Sequence, residues 1–491
     1  MMPVSLLIAL LLAFGIEPVE PDVPQADVIA RVLETCGGIT FVAALAFGLG
    51  FWVSFQVAQS GYSTSKVRRH YVFGCRVLTV LSLIVYGWII HWVGWSKMVR
   101  TNWGLGGSIL IDDVMVFLPY LSIQLLVWWG LFFAERALQL RQGPQAANGL
   151  GRYLILKTRQ SLGLILPVVL LYVIRRDVLG RYFPGWDAHA LAEPIEIAVL
   201  GAVILTVSPL FIRLAWPTRS LPEGPLRRRL MRISKRVGFQ FADVLVWDTG
   251  NMMVNACVTG VLPRFRYVLL TDALIESLTP HEIAAVFGHE IGHIAHRHLL
   301  YFGFFFMGSL GLLTVLIEVI AMAGPWIEPL VRLTPWPPEL VSEVVEGALL
   351  LVALGLYFWI VFGKLSRRFE RQADVFGSKV VSCDLTDCPP HHDQDHDLSP
   401  EPLGGKEPIL CPVGIRIFAD ALANVARSNG LDPNGRSWRH GSIATRIAFL
   451  EGLERRPDRE GKFQRGVTRL RIALGVVLAL GIMFSFLSQI V

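Results

Sequence analysis

Residues 289–293 read His-Glu-Ile-Gly-His. On a helix, His289 and His293 are four residues apart and project from one face, where two imidazoles can bind one zinc ion. Glu290 stands beside them, with a carboxylate placed to take a proton from a zinc-bound water. A catalytic zinc needs a third protein ligand and an open position. Residues 370–374, Glu-Arg-Gln-Ala-Asp, offer one. Glu370 and Asp374 share a helical face, so Glu370 can complete the metal site. Asp374 can then accept a hydrogen bond from a ligand histidine and fix its tautomer. Each half alone has a plainer reading: histidines on a membrane-surface helix, and Glu370 paired with Arg367 or Arg371 on a solvated face. The two halves together point to metal-assisted hydrolysis.

The elements that must position these groups are legible. Thr279 is a good N-cap, Pro280 fits the first helical position, and Glu282 completes a capping box. Residues 283–287 then give the helix an apolar face. Glu370 follows directly on an apolar run that ends near residue 363. Two polar segments, 214–300 and 364–469, are the stretches able to fold in water. The first reads as short strands (243–248, 254–259, 266–271) followed by helices, and the second as helical with a polar loop at 383–411. The simplest arrangement joins them into one split α+β domain seated on a bilayer.

A bilayer is implied by composition. Of 491 residues, 53% are hydrophobic and only 17% are charged, where a soluble enzyme would have about a quarter charged. Mean hydropathy is +0.51. The apolar residues gather in runs near the roughly 20 residues that cross a bilayer: 40–58, 76–95, 114–133, 160–174, 195–213, 301–323, 345–363 and 470–489. The run at 160–174 is short and contains Pro167. Residues 3–16 form a further apolar stretch, read as a ninth span or an interfacial segment, since no positive residue precedes it as in a signal peptide. The expected organisation is thus a transmembrane region at 1–213, two catalytic segments at 214–300 and 364–469, a transmembrane hairpin at 301–363 between them, and a last span at 470–491.

The net charge of +6 fits Lys/Arg-rich cytoplasmic loops better than nucleic acid, for which no basic-aromatic module is present. Loops 60–75 and 135–159 together carry eight Lys and Arg, against six in 96–113, 175–194 and 324–344 together. The positive-inside rule therefore puts the two polar segments in the cytoplasm. Six scattered cysteines do not make a disulfide scaffold.

Several stretches taken together resemble one known family. These are Asn255-Ala256, residues 268–272, residues 282–286, the pentad with His298 following, the Glu370–Asp374 pair, and Arg439-His440-Gly441-Ser442 with Arg446-Ile447. They look like the membrane metallopeptidase family of CAAX prenyl proteases and heat-shock membrane endopeptidases, over about residues 240–450. The resemblance implies a multi-span helical membrane protein with a mainly helical, gluzincin-type α+β catalytic domain. It implies an endopeptidase with polypeptide substrates, including membrane proteins, in quality control or processing, with CAAX-type processing as the narrower form. By that analogy zinc is held by His289, His293 and Glu370, Glu290 is the general base, and Asp374 orients a ligand. His440 matches a position that stabilises the oxyanion, Arg446 supports that segment on the substrate side, and Asn255 matches an edge-strand position for an extended substrate. One departure is Gly441, where the family often has proline.

Other features carry competing readings. His296 is a rival metal ligand on nearly the same face as His289. His281 and His298 read as surface or hydrogen-bonding residues. Cys383, Cys388 and Cys411, with His391, His392 and His396, have the composition of a second, structural zinc site. Their loose spacing among Asp393, Asp395 and Asp397 fits a polar insertion better. Rival whole-chain readings are a site-two-type intramembrane protease, which needs an aspartate ligand in a later span, a transporter with a chance motif, and a catalytically inactive membrane scaffold.

Overall fold

The computed structural model describes residues 2–14, 23–59, 64–108, 110–140, 149–183, 185, 192–251, 253–322, 324–331, 338–382, 409–435 and 437–488. The chain divides into two compact units. One comprises Met1–Leu221, Phe241–Asn255 and Thr259–Ala273, the other Pro222–Gln240, Ala256–Val258 and Leu274–Val491.

The first unit is built on helices α1 (Met2–Phe14), α2 (Val28–Ala58), α3 (Thr64–His91), α4 (Ile111–Leu140), α5 (Leu150–Val173) and α6 (Ala192–Ala215). Helices α2 and α4 meet backbone to backbone. A Cβ on Gly50 would sit 2.0 Å from the Gly130 carbonyl oxygen, and one on Gly130 2.6 Å from Phe47 N. Small residues at such a crossing let apolar helices approach without a hydrophobic driving force between them. Around the crossing pack Tyr86, Ile89, Tyr120 and Ile123, all fully buried. The Tyr86 hydroxyl donates to the Val116 carbonyl at 3.2 Å, which satisfies a polar group that burial would otherwise penalise. The opposite faces expose Phe51, Phe55, Val80 and Ile84, as helices do when lipid is their solvent. Helix α1 buries Leu6, Ala9 and Ala13 in the same cluster, so the described part of the short apolar stretch, residues 3–14, is a packed helix of the bundle.

Three strands follow in this unit. Strand β1 (Thr218–Ser220) pairs antiparallel with β2 (Asp243–Trp247), with Thr218 opposite Trp247. β2 pairs in parallel with Tyr267–Thr271, with Asp243 opposite Tyr267. The strands expected at 243–248, 254–259 and 266–271 are all present, the middle one as Ala256–Thr259. Thr218–Ser220 was too short to be read from its sequence.

The second unit is helical, and its own labels run on in chain order. Helix α7 is Pro280–Ala295, α8 His298–Met322, α9 Pro338–Tyr357, α10 Gly363–Val380, α11 Pro412–Ser428, α12 Ile443–Arg455 and α13 Asp458–Ser488. A wide π-turn, Phe358–Phe362, joins α9 to α10. The apolar rod thus passes without a break into the polar helix that carries Glu370. Phe305, Phe362, Leu365, Phe369 and Val467 form the core beneath it.

Within the described residues, the apolar runs named from the sequence fall on helices, apart from 92–94 at the end of one. Among the described residues, four helices are long and apolar enough to cross a membrane: Gln25–Ala58, Lys66–His91, Ile111–Leu138 and Val345–Val380, the last through its apolar first half. The chain is an integral membrane protein. The sequence range 383–408, with Cys383, Cys388 and its three histidines, lies outside the described residues. Cys411 is buried and caps α11, its Sγ accepting from the Gly414 N–H at 3.3 Å.

Candidate metal centre

Helix α7 begins as its sequence dictates. The Thr279 hydroxyl accepts from the Glu282 N–H at 3.3 Å, and the Glu282 carboxylate accepts from the Thr279 N–H at 2.7 Å. This reciprocal pairing satisfies two of the donors left open at a helix start. The other Glu282 oxygen accepts from the Asn424 side-chain amide of α11, which ties the cap to the rest of the unit.

Glycines let α7 lie against α10. A Cβ on Gly292 would come within 3.1 Å of Ala373 Cα and Phe376 Cβ. One on Gly377 would come within 2.9 Å of both the Ala285 carbonyl oxygen and the His289 nitrogen. The two helices therefore touch through their backbones, and side chains one turn along converge.

His289, His293 and Glu370 converge there, their donor atoms all within 4.8 Å of one another. The two histidine Nε2 atoms are 3.2 Å apart. Glu370 Oε2 is 3.8 Å from His289 Nε2, and Oε1 is 3.9 Å from His293 Nε2. Zinc–nitrogen bonds of about 2.0–2.1 Å at a tetrahedral angle place two nitrogens about 3.3 Å apart. The residues present fit a zinc ion.

Both imidazoles are held from behind. Asp374, fully buried, places Oδ1 2.9 Å from His289 Nδ1. Arg446 grips Asp374 with two bonds, Nε at 2.8 Å and Nη2 at 2.5 Å, and its Nη1 lies 3.5 Å from Glu370. His293 Nδ1 faces His298 Nδ1 at 2.9 Å. His298 is 1% exposed and stacks on Phe369, with ring centroids 4.2 Å apart and planes 4° from parallel. His298 Nε2 lies 3.1 Å from Gln372 Oε1, which also accepts from Arg471 at 2.5 Å.

The electrostatics follow from this packing. Burial alone would raise the Asp374 pKa, but the Arg446 charge and hydrogen bonds hold it below the usual carboxylate range. Glu370 is also lowered, since the His440 hydrogen bond and the charges of His289 and Arg446 outweigh burial. Burial would lower His289, but its bond to Asp374 raises it. Burial, then repulsion from His289, pulls His293 down to about 3. Glu290 goes the other way. Desolvation, followed by repulsion from Glu370, pushes it up to about 7, against the attraction of His289. A carboxylate titrating near neutrality can both take and return a proton at physiological pH.

The remaining sequence candidates are placed as follows. His440, half-exposed, has Nδ1 2.8 Å from Glu370 Oε1, so it contacts a metal-ligand candidate directly. Arg446 is buried, and its guanidinium is taken up by Asp374 and Glu370. Asn255 is exposed and belongs to the other unit, where its N–H donates to Thr271 Oγ1 at 3.0 Å and its carbonyl accepts from the Thr271 N–H at 3.1 Å. His296 stacks on His298 and meets Phe376 edge-on, away from the three donor atoms. His298 was read as a surface or hydrogen-bonding residue. It is hydrogen-bonded and buried, and the signal that could have marked it is its place five residues after His293.

Comparison with known proteins accords with this geometry. Residues 220–387 match the profile of Peptidase family M48. A Protease HtpX homolog of Methanocaldococcus jannaschii is 25% identical over 199 residues, 39% of this chain and 66% of that protein. CAAX prenyl protease 1 of Saccharomyces cerevisiae is 26% identical over 212 residues, 40% of this chain and 45% of that protein. The aligned part thus spans under two thirds of either relative. The crystal structure of S. mikatae Ste24p superposes with a TM-score of 0.50 at 16% identity, covering 88% of this chain and 100% of that one, a likeness of fold. The His-Glu-Ile-Gly-His helix and its Glu370 partner both lie inside residues 220–387, the span that is similar to Peptidase family M48.

Proposed function

We propose that the protein is a membrane-bound, zinc-dependent endopeptidase, with zinc held by His289, His293 and Glu370. The observation that carries this reading is the convergence of those three donors within 4.8 Å, beside a glutamate whose pKa is pushed to about 7. A zinc ion there supplies Lewis acidity toward a water and a carbonyl oxygen. Glu290 takes the proton of the attacking water and returns it to the leaving amine. Asp374, locked by Arg446, keeps the His289 Nδ1–H turned away from the site, so that Nε2 presents its lone pair. His440 lies on the solvent side of Glu370, within reach of a developing oxyanion once a substrate displaces it. Asn255, next to strand Ala256–Thr259, is proposed to guide an extended substrate by strand addition.

The catalytic domain is proposed to combine segments 214–300 and 364–469 on the cytoplasmic side, supported by the excess of Lys and Arg in the loops of that side. The substrates are polypeptides, membrane proteins among them, in quality control or processing. CAAX-type processing is the narrower alternative, favoured by the similarity to a yeast protein of that name. The inactive-scaffold and transporter readings account for neither Glu290 nor the shared site. A site-two-type site would draw its third ligand as aspartate from a span, whereas the third donor proposed here is Glu370.

The test is zinc content per chain, with cleavage of an unfolded membrane-protein substrate, for detergent-purified wild type and Glu290→Gln. Zinc in both with cleavage only by wild type supports the proposal. A wild type that takes up no supplied zinc overturns it.

A further inference from the structure

The two ligand histidines are held by different means. His289 has a carboxylate behind it, the common partner of a metal-bound imidazole. Among the described residues, the partner of His293 Nδ1 is not an acid. That nitrogen lies 2.9 Å from another imidazole nitrogen, Nδ1 of His298. Two imidazole nitrogens at that distance require one to carry the proton and the other to lack it. Which one does is decided further back in the structure.

Arg471 can only donate, and its Nη2 lies 2.5 Å from the Gln372 side chain. The atom of Gln372 facing it must therefore be the carbonyl oxygen, since an amide nitrogen there would set donor against donor. The Gln372 amide nitrogen is correspondingly turned to Gln464 Oε1 at 2.5 Å. The same Gln372 oxygen lies 3.1 Å from His298 Nε2, so that nitrogen must be the donor. A neutral His298 protonated on Nε2 has a bare Nδ1, which can only accept. His293 Nδ1 must then be the donor, and its Nε2 is left with a lone pair facing His289 Nε2 and Glu370.

We propose that His298 is a positioning residue for the metal centre, and that the chain Arg471–Gln372–His298 fixes His293 in its Nδ1–H tautomer with Nε2 directed at the metal. Three features keep the chain in register. His298 lies flat on Phe369. Gln372 is 3% exposed, one helix position from the turn that carries Glu370. Arg471 sits over the Tyr301 ring, 4.9 Å from its centroid. Helix α13, through Arg471, thereby contributes to the metal site by way of Gln372 and His298. Arg297, at φ 54°, makes the left-handed turn after α7 that brings His298 back beneath His293.

The inference rests on the three donors holding zinc, and its test separates the two claims. Zinc affinity is measured by competition with a fluorescent chelator on the detergent-purified full chain. The melting temperature of the zinc-free protein is recorded alongside. His298→Phe keeps the stacking on Phe369 and removes the acceptor; His298→Asn supplies a carbonyl that can accept in its place. Gln372→Met removes the link to His298, whereas Gln372→Glu keeps an acceptor facing both His298 and Arg471. The expected result is a 10- to 100-fold weaker zinc affinity for His298→Phe and Gln372→Met, and a return to within a few-fold of wild type for His298→Asn and Gln372→Glu. Wild-type affinity in His298→Phe or Gln372→Met, or equal losses in the acceptor-keeping and acceptor-lacking variants, overturns the relay. A wild type that binds no zinc overturns the metal-site reading itself.

Discussion

Asp374 and Arg446 form a buried, two-bonded ion pair whose acid also contacts His289 Nδ1 at 2.9 Å. Both partners are at most 8% exposed. Removing one charge from such a pair leaves the other buried and uncompensated, at a cost of about 3–5 kcal/mol. Asp374→Asn and Arg446→Met should each lower the melting temperature substantially. The double variant should be less destabilised than the two losses summed, as a double-mutant cycle reads directly. Asp374→Asn should also weaken zinc binding about 10- to 100-fold.

Glu290 predicts a pH profile. As a general base it must be ionised, and its pKa is about 7. A bound zinc ion's charge lowers that value, so kcat/KM should fall about tenfold per pH unit below a pKa lying under the zinc-free one, and level off above it. An acid limb that persists unchanged in the residual activity of Glu290→Gln would remove Glu290 from the role of base.

The same shift bears on stability with a fixed sign. The folded pKa of about 7 lies above the ordinary value of 4.5, so folding favours the protonated acid. Zinc-free wild type should lose stability between about pH 4.5 and 7, by about 3 kcal/mol at full ionisation. Zinc-free Glu290→Gln should lack that loss and unfold at a higher temperature than wild type at pH 8. Thermal unfolding at pH 5 and pH 8 checks both.

His440 gives a test that divides two roles. Its Nδ1 is 2.8 Å from Glu370 Oε1. If it holds Glu370 in place, His440→Ala lowers zinc affinity several-fold along with kcat. A group acting on the oxyanion alone would lower kcat by about 10²–10³ and leave zinc affinity unchanged. The contact with Glu370 predicts the first outcome, and chelator competition reads it.

Gly292 and Gly377 sit where α7 and α10 touch. Gly292→Ala must push Ala373 and Phe376 apart by a few tenths of an ångström, an overpacking that costs about 1–3 kcal/mol. It should shift Glu370 from the histidines and lower zinc occupancy more than it lowers helix content. Metal analysis with circular dichroism distinguishes the two.

Much of this was legible in the sequence because it depends on local rules. The capping box at Thr279 and Glu282 needs three residues, the His289–His293 face needs one helical turn, and the apolar runs need only composition. The strands around 243–271 announced themselves by β-branched and aromatic content between polar turns. What stayed hidden depends on distant chain segments meeting. Gln372 lies inside the Glu370–Asp374 motif and looks like a surface residue, until Arg471, 99 residues later, is placed against it. His298 looks solvent-facing until Phe369 is seen to cover its ring. Gly292 and Gly377 carry no chemistry of their own, and their role exists only where two backbones touch.

That contact between backbones has a thermodynamic corollary. The separation of the three donors follows from close contact between the backbones of α7 and α10, and a contact of that kind does not itself call on a metal ion. The site is a receptor assembled in advance, unlike small zinc domains that fold only around their metal. Chelation should then withdraw only the mass-action share of stability that a bound ligand adds. The apoprotein would remain folded in its membrane, competent to be reloaded when zinc returns.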